Sequence, residues 1–377
     1  MNTLKDNFGS IAPYSDEQVP DVIKSLIEDT EFHSSISKEW FPLVSRLFPQ
    51  LGSFLFKWIF IKSFGESKNI EEFQNNLAPF VQNMIDETTS GFTYSGVDNL
   101  SLRPTLYISN HRDISLDPLF LNFARFLEDY KTVRIAIGDN LLDGGFFEKL
   151  MRLNKSFIVH RDIQGAKETL KKLSNLSSYI NHSIKSNKES IWIAQSEGRA
   201  NDGNDFTDPA VLKMLYLSNR KLLQLQDWVL GVNLTPISIS YELDPLDISK
   251  GISWDGSEEL SYEEKNRKDL NEMVKGIKNQ KGRVHLHICN SIERNFNTLE
   301  ELAGLIDDEI ISNYKLWPSN YIAAHALGII TKESSDLENK EISFLKRFKG
   351  VDSEIRKKVL KMYAAPLVNS KQRAQTI

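Results

Sequence analysis

Residues 107–120 read YISNHRDISLDPLF and join a short apolar run to a helical pattern through a charged turn. The run belongs to TLYIS (105–109), whose composition is typical of a buried strand. Proline suits the first position of a helix and restrains the residue before it, so we expect a helix that starts at Pro118 with Asp117 as its N-cap. A strand, a polar turn and a helix in this order are the repeating unit of an α/β fold.

The same order of elements recurs along the chain. Further strands are predicted at VRIAIG (133–138), SFIV (156–159), SIWIAQ (190–195), LTPISISY (234–241) and VHLHIC (284–289). Helical patterns are found near 118–128, 141–153, 164–186, 208–228 and 258–279. Strands that alternate with helices predict an α/β fold, with a mainly parallel central sheet flanked by helices.

Helical extensions are predicted on both sides of this alternation. Segments 20–28, 38–64 and 70–86 carry apolar residues at spacings of three and four, and the tail returns to helix. We therefore expect three regions: a helical N-terminal region (1–94), an α/β domain (95–295) and a helical C-terminal region (296–377).

The composition excludes some classes of protein. The chain of 377 residues has a net charge of −5, which argues against a dedicated nucleic-acid binder, since such proteins are usually basic. A single cysteine, Cys289, cannot form a disulfide within the chain, which favours a reducing compartment. The polar N-terminus MNTLKDNFGS shows no secretory signal, so a cytoplasmic location is expected.

Two segments suggest contact with a membrane surface. The apolar run LGSFLFKWIFIKSF (51–64) is interrupted by Lys57 and is shorter than the about 20 residues of a spanning helix. It is expected either to pack on the protein or to lie in a membrane interface. The tail 342–373 contains nine lysines and arginines, which could attract anionic lipid headgroups or simply face solvent. Peripheral attachment to the inner face of the membrane is the resulting hypothesis.

Polar residues follow most of the predicted strands. They occur in NHRD (110–113), GDN (138–140), HRD (160–162) and SEGRANDGND (196–205). Because ligands bind outside the carboxyl ends of parallel strands, we expect several of these turns to converge on one crevice.

Several chemistries are excluded by the motifs. The HRD at 111–113 lacks the asparagine, DFG and glycine-rich loop of a protein kinase, and the chain has no G-x-S-x-G nucleophile elbow. No His/Cys cluster has zinc-site spacing, and no metal is expected. His285 and His287 should face the same side of a strand, which is better explained by chance, with a metal pair as the alternative. His111 remains as a general base that would deprotonate a hydroxyl of the substrate.

Four blocks in order then carry a resemblance to a known family. They are SNHRDISLDPLF (109–120), NKSFIVHRD (154–162), AQSEGRAND (194–202) and LTPISISYE (234–242), with IGDNLL (137–142) between the first two. Over roughly residues 95–245 the chain resembles the phospholipid/glycerol acyltransferases, the glycerol-3-phosphate and 1-acylglycerol-3-phosphate O-acyltransferase superfamily.

The resemblance implies roles for individual residues. His111 would be the catalytic base, with Asp117 as its preferred partner and Asp113 as the alternative. The residues implied in substrate binding are Asn110, Arg161, Glu197, Gly198 and Arg199. The chain departs from the family pattern twice, because the first block reads His-x5-Asp instead of His-x4-Asp and Arg199 directly follows Gly198.

The implied reaction moves a fatty acyl group from acyl-CoA or an acyl carrier protein to a hydroxyl of glycerol 3-phosphate or 1-acylglycerol 3-phosphate. It needs no cofactor, no metal and no acyl-enzyme. Three alternatives stay open: another lyso-lipid acceptor, hydrolysis of the thioester, and a non-catalytic lipid-binding member of the fold.

Overall fold

The computed structural model describes residues 8–142, 145–161, 163–254, 261–331 and 338–376. The chain divides into two compact units: residues 1–83 with 134–163 form the smaller unit, and residues 84–133 with 164–377 form the larger. This division differs from the three predicted regions, because the segment 134–163 belongs with the N-terminal helices. Its Leu153 is buried in the same apolar cluster as Phe32 and Phe60.

Helices precede, separate and follow the strands along the chain. The helices are α1 (Val19–Glu28), α2 (Thr30–Trp40), α3 (Pro42–Leu47), α4 (Pro49–Phe64), α5 (Ile70–Thr88), α6 (Leu116–Leu127), α7 (Phe146–Leu153), α8 (Ala166–Lys185), α9 (Pro209–Tyr216), α10 (Leu225–Val232), α11 (Asp247–Ile252), α12 (Tyr262–Lys278), α13 (Leu299–Ser312), α14 (Pro318–Ala326), α15 (Glu338–Lys346) and α16 (Ser353–Thr376). The strands are β1 (Phe92–Ser95), β2 (Leu106–Ser109), β3 (Arg134–Gly138), β4 (Ser156–Val159), β5 (Ile191–Ala194), β6 (Thr235–Tyr241) and β7 (Val284–Ile288).

In the smaller unit, α4 is apolar on two opposite faces. Phe56 and Phe60 lie on the inner face, where their rings make edge contacts with Phe32 at centroid distances of 5.2 and 5.1 Å. Phenylalanine rings packed in this way stabilise the helical cluster beyond the area that they bury. The opposite face carries an exposed stripe, which we call the apolar stripe of α4. Its members are Leu51, Phe54, Trp58 and Ile61.

In the larger unit, the strands follow the order β1-β7-β6-β2-β5. β2 lies between β5 and β6 and is parallel to both, with Ser109 opposite Ala194 on one side and opposite Ile237 on the other. β1 and β7 are parallel, and only the β6–β7 pair among these strands is antiparallel. The residues that follow β2, β5 and β6 therefore emerge at the same edge of the sheet.

The predicted α/β class with a mainly parallel sheet is confirmed, and each of the six predicted strands is present. Three elements differ from the predictions. β1 lies in TTSGFTYSG, whose glycines and hydroxyl residues favour a break in the pattern, and α2 falls largely between two of the predicted helical segments. The helical pattern 208–228 is divided into α9 and α10. Among the described residues, no helix combines the length and the apolar character needed to cross a membrane.

Candidate active site

The turn after β2 wraps around one carboxylate. Asp117 Oδ2 accepts hydrogen bonds from the backbone N–H groups of Arg112 and Asp113, at 2.7 and 2.9 Å. Successive N–H groups that point into one concavity form a binding site for an anion, and here the anion is the chain's own side chain. The hydroxyl of Tyr241 on β6 donates to the other oxygen, Oδ1, at 2.8 Å. The carboxylate is thus fixed from both sides.

The same carboxylate oxygen holds the imidazole of His111. Its Nδ1 lies 3.0 Å from Asp117 Oδ2, and since an ionised carboxylate only accepts, Nδ1 carries the hydrogen. In the neutral ring the lone pair is then on Nε2, which has no hydrogen-bond partner among the described residues. The ring also makes an edge contact with Trp192, at a centroid distance of 6.0 Å. The extra residue in His-x5-Asp is therefore accommodated by the turn, and Asp117 reaches the histidine.

Asp113 occupies a different place. Its Oδ1 accepts from the N–H groups of Ser115 and Leu116, both at 3.0 Å, at the start of α6. The prediction that the helix starts at Pro118 with Asp117 as its N-cap is wrong: α6 begins at Leu116, and the first N–H groups are bound by the carboxylate of Asp113. Burial raises the pKa of Asp113, and the neighbouring charge of Asp117 raises it further.

Asn110 links β2 to β6. Its side-chain Nδ2 donates to the carbonyl of Ile239 at 2.9 Å, and its Oδ1 accepts from the N–H of the same residue at 2.8 Å. The side chain therefore extends the pairing between the two strands just where the turn that carries His111 leaves the sheet. Its amide is used by this contact, and direct contact between Asn110 and a substrate stays a prediction.

The loop after β5 lies beside the His111 turn. The N–H of Ala200 donates to the carbonyl of His111 at 3.3 Å, and the N–H of His111 donates to Asp205 Oδ2 at 2.9 Å. Within this loop Gly198 has a positive φ of 83°, a conformation that favours glycine, and Glu197 is exposed to solvent. The loop therefore brings Gly198 and the His111 turn to the same edge of the sheet.

Arg199 forms ion pairs with two carboxylates of α12. Its Nη2 lies 2.5 Å from Glu272 Oε2 and 3.6 Å from Asp269 Oδ1, while the buried Nη1 has no hydrogen-bond partner among the described residues. Burial lowers the pKa of Arg199, but the charge and hydrogen bond of Glu272 and the charges of Asp113 and Asp269 together outweigh it, so the net shift is upward. A guanidinium held in this way stays charged and anchors the loop to α12.

A buried cluster of charged side chains, Lys250, Asp244 and Arg112, stabilises the turn. Lys250 Nζ donates to Asp244 Oδ2 and to the carbonyl of Arg112, both at 2.6 Å. The guanidinium of Arg112 lies 3.6 Å from the same Asp244 oxygen. Burial lowers the pKa of Lys250, whereas the charges of Lys250 and Arg112 keep the pKa of Asp244 below its ordinary value despite burial. Buried charges of both signs therefore compensate one another around the backbone of Arg112.

Arg161 belongs to the smaller unit and follows β4. Its N–H donates to Asp139 Oδ1 at 3.1 Å, and the neighbouring His160 ring is 2.8 Å from Asp139 Oδ2. The guanidinium lies against Gly138, where a Cβ atom would be 2.6 Å from Arg161 Nε. Arg161 is exposed, and this arrangement joins the second block to the IGDNLL segment.

The two strand histidines have a local explanation. His285 and His287 share one face of β7, as predicted, and both bond the hydroxyl of Ser95, at 3.0 and 2.8 Å. Burial lowers the pKa of His285 to about 4, so its ring is neutral at pH 7. No group of three His, Cys, Asp or Glu side chains in the described part of the chain is arranged to hold a metal.

Sequence reasoning missed several residues around the site. Tyr241 is the next-to-last residue of the fourth block, and Asp205 closes the polar run after β5, so both lie within segments that the sequence pattern had singled out. Lys250 and Glu272 lie outside every block. Their position at the carboxyl end of a predicted strand or in the polar run after one was a usable signal for the first two, whereas the other two are recognised only by their contacts.

Comparison with known proteins identifies a domain within the chain. Residues 91–221 match the family model described as Acyltransferase. These residues therefore form an acyltransferase domain. The chain is an enzyme that transfers acyl groups, and the resemblance to acyltransferases is confirmed at this level; the first three blocks lie within the matched residues and the fourth lies outside them.

A solved structure is also similar to this acyltransferase. It is the crystal structure of the 1-acyl-sn-glycerophosphate (LPA) acyltransferase, PlsC, from Thermotoga maritima, with 14% sequence identity and a TM-score of 0.38, over 75% of this chain and 95% of that chain. No curated protein matches the acyltransferase.

Proposed function

We propose that this acyltransferase moves a fatty acyl group from a thioester donor to a hydroxyl of a glycerolipid precursor, with His111 as general base. The observation that carries the proposal is the His111–Asp117 pair: Nδ1 is held at 3.0 Å by the carboxylate, and Nε2 is left without a partner among the described residues. The pair lies at the carboxyl end of β2, within the segment that matches the family.

The reaction follows from this geometry. His111 Nε2 accepts the proton of the acceptor hydroxyl while that oxygen attacks the thioester carbonyl carbon. The carbon–sulfur bond then breaks, and the imidazolium returns the proton to the departing thiolate. Asp117 stabilises the imidazolium and keeps the ring in the required tautomer, as the carboxylate does in a serine hydrolase triad. Cys289 is not a candidate nucleophile, because burial raises the pKa of its thiol above the ordinary value.

Acyl-CoA or an acyl carrier protein is the proposed donor, and glycerol 3-phosphate or 1-acylglycerol 3-phosphate is the proposed acceptor. Arg161, which follows β4 in the smaller unit, stays a proposed phosphate-binding residue because its block resembles the family's, and an exposed guanidinium suits a phosphate. For Arg199 the phosphate role requires Nη1, since Nη2 is bound to Glu272. Gly198 would allow the backbone to approach the acceptor, and Glu197 would accept from one of its hydroxyls.

We further propose that the acyltransferase attaches to the cytoplasmic face of a membrane through the apolar stripe of α4. These large side chains are exposed on a helix whose other face is already packed, and Lys62 lies over the Trp58 ring at 5.2 Å. An apolar face flanked by lysines is typical of a helix that lies in a membrane interface. The basic tail supports this less, because Arg347 and Arg373 pair with Asp247 and Asp308.

The test is a measurement of thiol release from acyl-CoA and from an acyl carrier protein, with and without glycerol 3-phosphate, 1-acylglycerol 3-phosphate or another lyso-lipid. Release that depends on an acceptor, with the acylated product found by mass spectrometry, supports the transferase and identifies the acceptor. Release at the same rate without acceptor indicates a thioesterase. No release with either donor, together with lipid binding, indicates a non-catalytic member of the fold.

A further inference from the structure

We propose that Asp205 is a positioning residue for His111, acting through the backbone and not through the imidazole. This inference rests on the proposed role of His111 as the base. Asp205 Oδ2 accepts from the N–H of His111 at 2.9 Å, across the 94 residues that separate them in sequence. The contact joins the end of the loop after β5 to His111 in the first block.

Two carboxylates accept hydrogen bonds from three successive backbone N–H groups. Asp205 binds the N–H of His111, and Asp117 binds those of Arg112 and Asp113. Asp117 therefore fixes the turn after the histidine and the ring itself, while Asp205 fixes the peptide before the ring. The carbonyl of His111 is also bound, by Ala200 N–H at 3.3 Å. Every backbone polar group of His111 is thus held by the loop after β5.

Asp205 is itself held in place from the opposite side. Its Oδ1 accepts from Gln195 Nε2 at 2.9 Å. Gln195 continues β5, and its own N–H donates to the carbonyl of Ser109 at the end of β2 at 2.8 Å. The carboxylate is therefore tied to both strands that carry the site. Burial raises the pKa of Asp205, and the charges of Arg112 and His111 oppose this shift.

The removal of this carboxylate leaves a buried N–H without its acceptor, in a residue that is only 7% exposed. The peptide is then expected to rotate toward another acceptor, and this moves the ring away from Asp117. A misplacement of about 1 Å in a reacting group can lower the rate about a hundredfold. The N–H and the carbonyl of His111 are both bound within the protein, so we expect neither substrate to use them, and kcat should change while KM should not.

The test compares Asp205→Ala and Asp205→Asn with Asp208→Asn. Asp208 is exposed in the same loop and accepts from Ala210 N–H, as an asparagine also can, so this control removes one negative charge without loss of the helix cap. We expect kcat of Asp205→Ala to fall about tenfold to a hundredfold with KM within about twofold of wild type. Asp205→Asn keeps an acceptor for the His111 N–H and should retain about a third of kcat or more.

Two further measurements separate positioning from a general loss of structure. In the His111→Ala background, Asp205→Ala should have no additional effect on the residual rate, because both act through one group. The low-field proton resonance of the His111 Nδ1–H, identified by its loss in His111→Ala, should shift in Asp205→Ala and stay unchanged in Asp208→Asn.

The outcomes are separable. A full additional loss of rate in the His111→Ala background, or an unmoved resonance in folded Asp205→Ala, overturns the positioning role. Absence of acyl transfer by the wild type contradicts the proposed function instead, and the resonance then still decides whether Asp205 places the ring.

Discussion

Gly276 of α12 lies against the carboxylate of Asp113: a Cβ atom at this position would be 2.5 Å from Asp113 Oδ2 and 3.3 Å from its Cγ. The absence of a side chain therefore lets α12 approach the turn that carries His111. Asp113 Oδ2 has no hydrogen-bond partner among the described residues, so its neighbour on this side is the glycine. α12 also holds Arg199 through Glu272, which makes it a structural support of the site.

The first prediction concerns this contact. Gly276→Ala should destabilise the larger unit by about 1–3 kcal/mol, because overpacking outweighs the gain in helix propensity. Gly304→Ala in α13 is the matched control, since a Cβ there would meet nothing within 4 Å, and it should stabilise by up to about 1 kcal/mol. Urea unfolding of both variants measures the difference. Equal stability of the two would contradict the close packing of α12 on Asp113.

The second prediction concerns the base. His111→Ala should lower the rate of acyl transfer about a hundredfold or more, because the variant lacks the Nε2 atom that accepts the proton of the hydroxyl. The fold should change little, since the carboxylate of Asp117 keeps its two backbone N–H donors and the Tyr241 hydroxyl. Steady-state kinetics and circular dichroism provide the measurements. Turnover near that of the wild type would remove His111 from the mechanism.

The third prediction separates the two aspartates. Asp117→Asn should lower kcat by about 10²–10⁴, because an amide cannot hold the Nδ1–H tautomer and accept two N–H groups as a carboxylate does. Asp113→Asn keeps an oxygen for the N–H groups of Ser115 and Leu116 and should retain most of the activity. The two variants are matched in chemistry and are compared under saturating donor. A larger loss in Asp113→Asn would reverse the assignment.

The fourth prediction uses pH. Asp307 accepts from the N–H and hydroxyl of Thr207, at 2.8 and 2.7 Å, and burial raises its pKa to about 6. The folded state therefore binds the carboxyl proton of Asp307 more tightly than the unfolded chain does, since an aspartate in an unfolded chain has a pKa of about 3.9. The protonated carboxyl of Asp307 therefore contributes its full stabilisation of the folded state below pH 4, and this stabilisation is lost as the pH rises through about 6.

Asp307→Asn cannot ionise and keeps an acceptor for Thr207. Its unfolding free energy should exceed that of the wild type by about 2 kcal/mol at pH 7, and the two should be nearly equal at pH 4. Thermal unfolding at pH 4, 5, 6 and 7 provides the comparison. A wild-type advantage at pH 7 would show that the ionised carboxylate is stabilising.

The fifth prediction concerns the membrane. Phe54→Glu and Trp58→Glu should each weaken binding to vesicles that contain anionic lipid by about tenfold or more, because each removes apolar contact and adds a like charge. Leu102→Glu is the control, since Leu102 is 93% exposed but lies outside the apolar stripe of α4. Co-sedimentation with vesicles measures the binding. Equal losses in all three variants would contradict a specific membrane face.

The fold could be predicted well where local patterns decide it. Buried parallel strands are short apolar runs, so TLYIS and SFIV are recognisable directly, whereas the edge strand β1 has no such run. The position of Asp117 in the motif favoured its pairing with His111. The start of α6 could not be predicted in the same way, because its cap is Asp113, three residues before Leu116. Asp205 and Glu272 act through contacts distant in sequence, and a local pattern does not encode these.

The position of β2 has a consequence for the order of folding during synthesis. Its two neighbours are β5 and β6, so Tyr107 pairs with Trp192 on one side and with Thr235 on the other. A nascent chain must therefore emerge past Tyr241 before the strand has both partners and the Asp117 carboxylate has its phenol donor. Contacts so distant in sequence form slowly, and until then β2 exposes an apolar edge on the ribosome that is open to chaperones and to self-association.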